Sequence, residues 1–264
     1  MSSGGGSAMN RNARLLLRAG ERLDDLQRAG LRIIQNPDLY AFSVDSVLLA
    51  SFARAKHRDV VVDLGTGTGV IPLLMWARWR PARIIAIEVQ PQLADMARRS
   101  VVLNDLEDEI EIVEGDIRDV ASRFDHSKVD VVVCNPPYRP VGRGPKPDSP
   151  VLGIAHAERM FTLSDLAAVA SRILKSSGRL VVVYRPERLA ELIFELTQKR
   201  LEPKRVRFVH PMPSRPAKMV LLEAVKDGGK QLSVLPPLFI HSQDGSYTPE
   251  IMRLYSETDG SGEG

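Results

Sequence analysis

The tetrapeptide Asn135-Pro136-Pro137-Tyr138 directly follows the apolar run Val129 to Cys134. An amine on a planar group is a poor nucleophile because its lone pair is delocalised. A protein that alkylates such an amine must grip the N–H bonds with acceptors that localise the pair. The side-chain oxygen of Asn135 and the carbonyl of Pro136 would supply two acceptors, and consecutive prolines fix the backbone that carries them. Tyr138 adds a flat surface on which a base could stack, worth about 1–3 kcal/mol. Neither a basic side chain nor a covalent intermediate is required. Cys134, next door, points the opposite way if strand alternation holds to its end, and reads as core. The plainer reading of Pro-Pro is a strand terminator followed by a turn.

Upstream, Asp63-Leu64-Gly65-Thr66-Gly67-Thr68-Gly69 closes a strand and leads into the apolar segment Val70 to Ala77. Three glycines at alternate positions let the backbone turn sharply and approach a nucleotide-like ligand beside a helix N-terminus. No Gly-Lys-Ser/Thr follows, and the third glycine comes one residue earlier than the dinucleotide fingerprint requires, so a phosphate cradle is the weaker reading. The candidate cofactor-binding residues are Asp63, Gly65, Thr66, Gly67 and Gly69. Glu88 ends the next strand and is placed to accept from both hydroxyls of a ribose, where it would repel a ribose phosphate. Asp116 could accept from an adenine amino group while Ile117 offers a backbone donor and an apolar face; a surface turn is the competing explanation.

The elements that must position these residues alternate between strand and helix. Strands are expected at Val60–Leu64, Arg83–Glu88, Glu109–Val113, Val129–Cys134 and Arg179–Tyr184, with helices from Pro91 to about Asn104, Ser164 to Lys175 and Pro186 to Lys199. Two last strands, Arg205–Val209 and Lys218–Val225, have no helical length between them and should be antiparallel. This alternation reads as an α/β body with a mostly parallel sheet. Before it, Leu23–Gln35 reads as a hairpin and Val44–Ala55 as a helix, expected to cover one edge of the sheet. The division that follows is a disordered tail over residues 1–10, an N-terminal extension over 11–58, a catalytic domain over 59–255 and a second disordered tail over 256–264. Residues 139–150 hold four prolines and two glycines and suit a lid or binding loop.

The chain has 264 residues, 44% of them apolar, enough for a substantial core. Its longest apolar runs fall far short of the roughly 20 residues that cross a bilayer. One cysteine and five scattered histidines argue against a disulfide or a structural zinc site, so no metal is expected and the cytosol is the default compartment. The net charge is only +3, but residues 200–230 carry eight basic side chains against three acidic ones. Arg139, Arg143 and Lys146 beside the tetrapeptide, with Arg205, Arg207, Arg215 and Lys218 on the late hairpin, are candidate phosphate contacts. A solvated charged face is the bland alternative. Single-stranded or looped RNA would suit the site, since an unstacked base can enter a pocket without breaking a duplex.

Taken together, Asp63 to Gly69, Glu88, Asp116 and Asn135 to Tyr138 resemble the class I S-adenosylmethionine-dependent methyltransferases, in the branch that alkylates planar nitrogen. Within it the chain is most similar to the bacterial tRNA adenine-N(6) methyltransferase family that modifies valine tRNA beside the anticodon. That similarity extends to Gly30–Ala50, Ala155–Glu158 and Arg205–Pro211. It implies a Rossmann-like class I methyltransferase fold: a seven-stranded, mostly parallel sheet with an antiparallel last strand and a small N-terminal extension. It further implies S-adenosyl-L-methionine over the glycine loop, Glu88 on its ribose, Asp116 near its adenine, Asn135 facing the acceptor amine, and tRNA as partner. A rival acceptor is the side-chain amide of glutamine in a translation release factor. Enzymes of that kind carry a larger helical N-terminal domain, whereas fewer than 60 residues precede Val60 here. A DNA adenine methyltransferase is disfavoured because no target-recognition domain is evident, and a non-catalytic RNA-binding protein on the same fold is disfavoured by the intact motifs.

Overall fold

The computed structural model describes residues 16–38, 44–121, 128–136 and 162–255. The chain begins with an antiparallel hairpin, β1 (Arg22–Asp25) and β2 (Arg32–Gln35), and a helix, α1 (Val44–Phe52). The main body runs β3 (Val60–Leu64), α2 (Val70–Trp79), β4 (Arg83–Glu88), α3 (Pro91–Leu103), β5 (Ile110–Glu114), α4 (Ile117–Ala121) and β6 (Val129–Cys134). It continues with α5 (Leu163–Ile173), β7 (Leu174–Tyr184), a 3-10 turn at Pro186–Arg188, α6 (Leu189–Gln198), β8 (Leu201–His210) and β9 (Met219–Lys226). Two short strands, β10 (Ser233–Val234) and β11 (Leu238–Phe239), and a helix, α7 (Pro249–Tyr255), complete it.

The seven long strands lie in the order β5-β4-β3-β6-β7-β9-β8, and β10 and β11 both pair with β8 at the outer edge. Strands β3 to β7 are mutually parallel, and β9 runs antiparallel to both β7 and β8. The expected seven-stranded sheet is thus extended by two edge strands, each too short for alternation to show. Strand residues alternate between two cores. Val61, Val131, Val133, Val181 and Val183 face one core with residues of α1, α2 and Ile251 of α7, while Val62, Leu64, Val132, Cys134 and Val182 face the other with α5 and α6. Strands buried on both faces explain the valine runs that make them legible in sequence.

Sheet order reverses at β3, whose neighbours β4 and β6 carry the chain in opposite directions across the sheet. Leu64 and Cys134 are register partners at the ends of β3 and β6, so the glycine loop and Asn135 leave the sheet side by side, one strand spacing of about 4.8 Å apart. A doubly wound sheet binds ligands in the crevice at such a switch point.

Several boundaries differ from expectation. Helix α5 stops at Ile173, and Lys175 to Gly178 form an irregular insertion in β7 where the register with β6 jumps from Leu174 to Arg179. The Lys175 ammonium meets Asp130 there. Strand β8 starts at Leu201 rather than Arg205 because a register shift between Pro203 and Arg205 accommodates the proline. Helix α1 lies on a face of the sheet and not at its edge, packing on α2, β7 and β9, while the hairpin packs on α3.

Side chains of α3 and of its C-terminal cap, Asn104, hold the hairpin. Asn104 accepts from the Arg32 amide at 2.9 Å and donates to its carbonyl at 2.7 Å, Ser100 accepts from Ile34, and the Arg99 guanidinium grips Glu21 at 2.6 and 2.7 Å. Asn104→Ala leaves both polar groups of Arg32 without these partners, so it should cost about 2 kcal/mol. Urea titration checks this through a lower midpoint at unchanged slope.

Candidate active site

Three motifs meet at the carboxyl edge of β3, β4 and β6. Gly65, Gly67 and Gly69 all have positive φ, at 78°, 60° and 88°, which side chains rarely tolerate. At Gly69 space is short as well, since a Cβ there would sit 3.2 Å from the Cβ of Ala97. The loop is fastened to β4: the amides of Gly65 and Thr66 both donate to the Ile87 carbonyl at 2.9 Å. Glu88 is buried, and its two carboxylate oxygens are shared out. One accepts from the Gly67 amide at 2.8 Å and the other from the Gln90 amide at 2.9 Å. Burial raises its pKa, and those two amides oppose the rise. Each oxygen keeps a second lone pair for a ligand hydroxyl.

Asp63 is completely buried, and among the described residues neither of its oxygens has a hydrogen-bond partner; the hydroxyls of Thr66 and Thr68 are orphaned beside it. Burial pushes its carboxyl up to about 7; the Thr66 hydroxyl pulls the other way without closing a hydrogen bond, and the Glu88 charge adds to the rise. Buried polar atoms are rarely left without partners. Four such atoms around one glycine loop are what a polar ligand would satisfy, and a carboxylate accompanied by hydroxyls suits an ammonium group. The donor set therefore fits the amino-acid end of S-adenosylmethionine, with Glu88 fitting its ribose. Thr68 was not among the residues singled out in the sequence, although its alternation with the glycines was the available signal.

Asn135 follows β6, and its amide nitrogen donates to the hydroxyl of Ser46 on α1 at 3.4 Å. With its nitrogen engaged there, Oδ1 is the atom of this amide that can accept from an amine. Ser46 is buried and lies in the N-terminal extension. No spacing rule links it to Asn135, 89 residues away, so sequence could not reveal the contact. Pro136 is buried directly after it. Cys134 is buried on the opposite side, its thiol donating to the Leu64 carbonyl, and burial raises its pKa well above the ordinary thiol value. Pro137, Tyr138, Arg139, Arg143 and Lys146 lie outside the described residues.

Other expected site residues are committed elsewhere. The Asp116 carboxylate takes three hydrogen bonds from Arg118, two from the guanidinium at 2.9 and 2.6 Å and one from the backbone amide at 2.9 Å. That guanidinium holds its pKa below the usual carboxylate range. The side chain of Ile117 is buried in the core shared with α5. Arg205 forms a bidentate pair with buried Glu223 at 2.9 and 2.7 Å and lies over the Phe52 ring, and Arg207 pairs with Glu250 at 2.7 and 3.0 Å. Arg215 and Lys218 are exposed on the turn between β8 and β9. No helix among the described residues is long and apolar enough to cross a membrane, and no cluster among them could hold a metal ion.

Residues 32–202 match the model of the methyltransferase small domain family. A tRNA1(Val) (adenine(37)-N6)-methyltransferase of Porphyromonas gingivalis is 31% identical over 218 residues, covering 80% of this chain and 85% of that protein. A protein of the same name from Trichodesmium erythraeum is 27% identical, covering 81% and 88%. Among solved structures, that of a predicted O-methyltransferase from Agrobacterium tumefaciens superposes with a TM-score of 0.65 at 26% identity, over 81% of this chain and 98% of that one.

Two consequences can be measured. Because the folded-state pKa of Asp63 lies above its unfolded value, the ligand-free protein holds a proton that the unfolded chain has released. The group's contribution to stability then falls as pH rises from about 4 to 7. Binding an ammonium ligand requires the ionised form, so below about pH 7 binding should release a proton and affinity should climb with pH. Calorimetry in two buffers of different ionisation enthalpy should show this release, and Asp63→Asn should abolish it. Glu88→Ala should weaken donor binding by about 1.5–3 kcal/mol, read by the same titration.

Proposed function

The chain belongs to the methyltransferase small domain family, and from that membership we propose that it transfers the methyl group of S-adenosylmethionine to the N6 amine of an adenine in tRNA. The observation that carries this reading is the meeting, at one switch point, of a loop with orphaned buried acceptors and an asparagine held by its amide nitrogen. The names of the relatives from Porphyromonas and Trichodesmium support adenine 37 of a valine tRNA as the target. The cytosol, where tRNA is found, is the corresponding compartment.

When bound, S-adenosylmethionine supplies a methyl carbon activated by its sulfonium. Asp63, Thr66 and Thr68 would hold its amino-acid end, and Glu88 its ribose. Asn135 Oδ1 and the Pro136 carbonyl would each accept one hydrogen of the adenine amine, concentrating its lone pair toward the donor carbon. Transfer would form the N–C bond as the methyl–sulfur bond breaks and S-adenosylhomocysteine is left behind, and the amine's surplus proton would pass by way of the Asn135 or Pro136 oxygen it is bonded to into solvent. Tyr138 would stack on the flipped base. The tetrapeptide supports nitrogen over oxygen as the acceptor atom: an amine with two hydrogens needs two acceptors, whereas a hydroxyl has one hydrogen to grip. In this reading residues 59–255 carry the chemistry, and residues 11–58 are an extension that reaches the acceptor side through Ser46.

Since Arg205 and Arg207 are spent on Glu223 and Glu250, Arg215 and Lys218 are left as the described phosphate contacts of the late hairpin. Arg139, Arg143 and Lys146 would add to them from the segment after Tyr138.

Full-length protein with tRNA transcript and tritiated donor should label the RNA and leave a glutamine-bearing release-factor peptide unlabelled. Labelling of the peptide alone would overturn the RNA reading. Asn135→Ala should cut transfer by about 10²–10³-fold at donor affinity within twofold of wild type. Replacing Arg215 and Lys218 together by Ala should reduce the slope of log affinity against log salt by about 1.4. Arg205→Ala should instead leave that slope unchanged and lower the melting temperature.

A further inference from the structure

The aromatic side chains that follow β11 are not used by the chemistry described above. Tyr247 is 51% exposed although its ring is large and mostly apolar. It stacks on His241 with ring centroids 4.9 Å apart and planes 18° from parallel, and the two residues form a backbone bridge. Hydrogen bonds from Ser242 to the Ser246 carbonyl and from Thr248 to the Ile240 carbonyl close the loop between them. Asp244 at its tip is engaged by the amide and hydroxyl of Ser246. The ring is therefore displayed on a rigid support.

Its position follows from register. Strand β11 runs parallel to β8 with Phe239 opposite His210, the last residue of β8. The Ile240 and His241 amides then donate to the carbonyls of His210 and Pro211. Loop 240–248 consequently projects from the same carboxyl edge that carries Asn135. Four strand spacings separate β6 from β11, a distance of about 19 Å. Helix α1, whose Ser46 holds Asn135, packs against α7, which starts directly after this loop. The adjoining turn 211–218 is stiffened by Pro211, Pro213 and Pro216 and by a 2.8 Å contact of the His210 ring with the Arg215 carbonyl. It presents Arg215 and Lys218, and among the described residues neither lies in an ion pair.

An exposed aromatic ring backed by a second ring and flanked by cations is the pairing that single-stranded nucleic acid requires: a face for a base and charge for the phosphates. We infer that Tyr247, supported by His241, stacks on a base of the substrate RNA outside the acceptor pocket while Arg215 and Lys218 hold the adjoining backbone. This deepens the tRNA reading and rests on it. The acceptor adenine would then be held at Asn135 and a second base at Tyr247, so the strand is gripped on both sides of β7 and β9.

The test uses full-length protein and an unmodified tRNA transcript. Tyr247→Ala should raise the RNA dissociation constant about 5- to 100-fold, the range expected for loss of one stacked base. Donor affinity should stay within twofold, and so should the transfer rate at saturating RNA. Tyr247→Phe, which keeps the ring, should bind like wild type. RNA affinity unchanged in Tyr247→Ala, or Tyr247→Phe as weak as Tyr247→Ala, would overturn the stacking role. Should Tyr247→Ala not fold, ultraviolet crosslinking of wild-type protein to 4-thiouridine-substituted transcript decides. A crosslink on the peptide containing Tyr247 is expected, and crosslinks only elsewhere would overturn the inference. A wild-type protein that neither binds nor methylates tRNA would instead remove the RNA reading itself.

Discussion

The buried carboxylate of Glu88 is the fastening on which the site depends. It joins two turns, taking the Gly67 amide on one oxygen and the Gln90 amide on the other. The glycine loop has three residues at positive φ and no side-chain cap at the start of α2, and within itself it closes one turn, from the Gly69 amide to the Thr66 carbonyl. Glu88 and the Ile87 carbonyl hold it from β4. In the proposed reading a ribose would draw on the remaining lone pairs of the same two oxygens.

The same economy appears on the acceptor side. A parallel sheet delivers Asn135 beside the glycine loop because β6 and β3 are register neighbours, but strand geometry alone leaves the amide free to rotate. Its nitrogen is tethered by Ser46, which comes from the helix preceding the sheet. The extension thus supports Asn135, the proposed acceptor-side residue, and its own anchorage runs through Ser100 and Arg99 on α3 and Asn104 at its C-terminal cap. The orphaned oxygens of Asp63, Thr66 and Thr68 are gathered on one glycine loop, which is why they point to a ligand.

Much of this was legible in the sequence, for physical reasons. Strands buried on both faces are written as valine and isoleucine runs, so β3, β4 and β6 were placed to the residue, and with them Asp63, the glycines, Glu88 and Asn135. What could not be read was decided by contacts distant in sequence. Charge density singled out Arg205 and Arg207, yet a count of cations cannot see that Glu223 and Glu250 fold back onto them. Asp116 looked like a ligand contact, but the arginine two residues on takes its carboxylate. Edge strands β10 and β11 have two residues each, too few for a period. The placement of α1 on a sheet face follows from packing against α2 that no local pattern encodes.

The central claim is that the space above Gly65 to Gly69 holds the methyl donor with its charged and polar ends matched to Asp63 and Glu88. A crystal structure of the protein with S-adenosylhomocysteine tests it most directly. The ligand's ammonium should lie within hydrogen-bond distance of Asp63 or the Thr66 and Thr68 hydroxyls, with both ribose hydroxyls on Glu88. A ligand seated away from these oxygens, with Asp63 still unpaired, would contradict it.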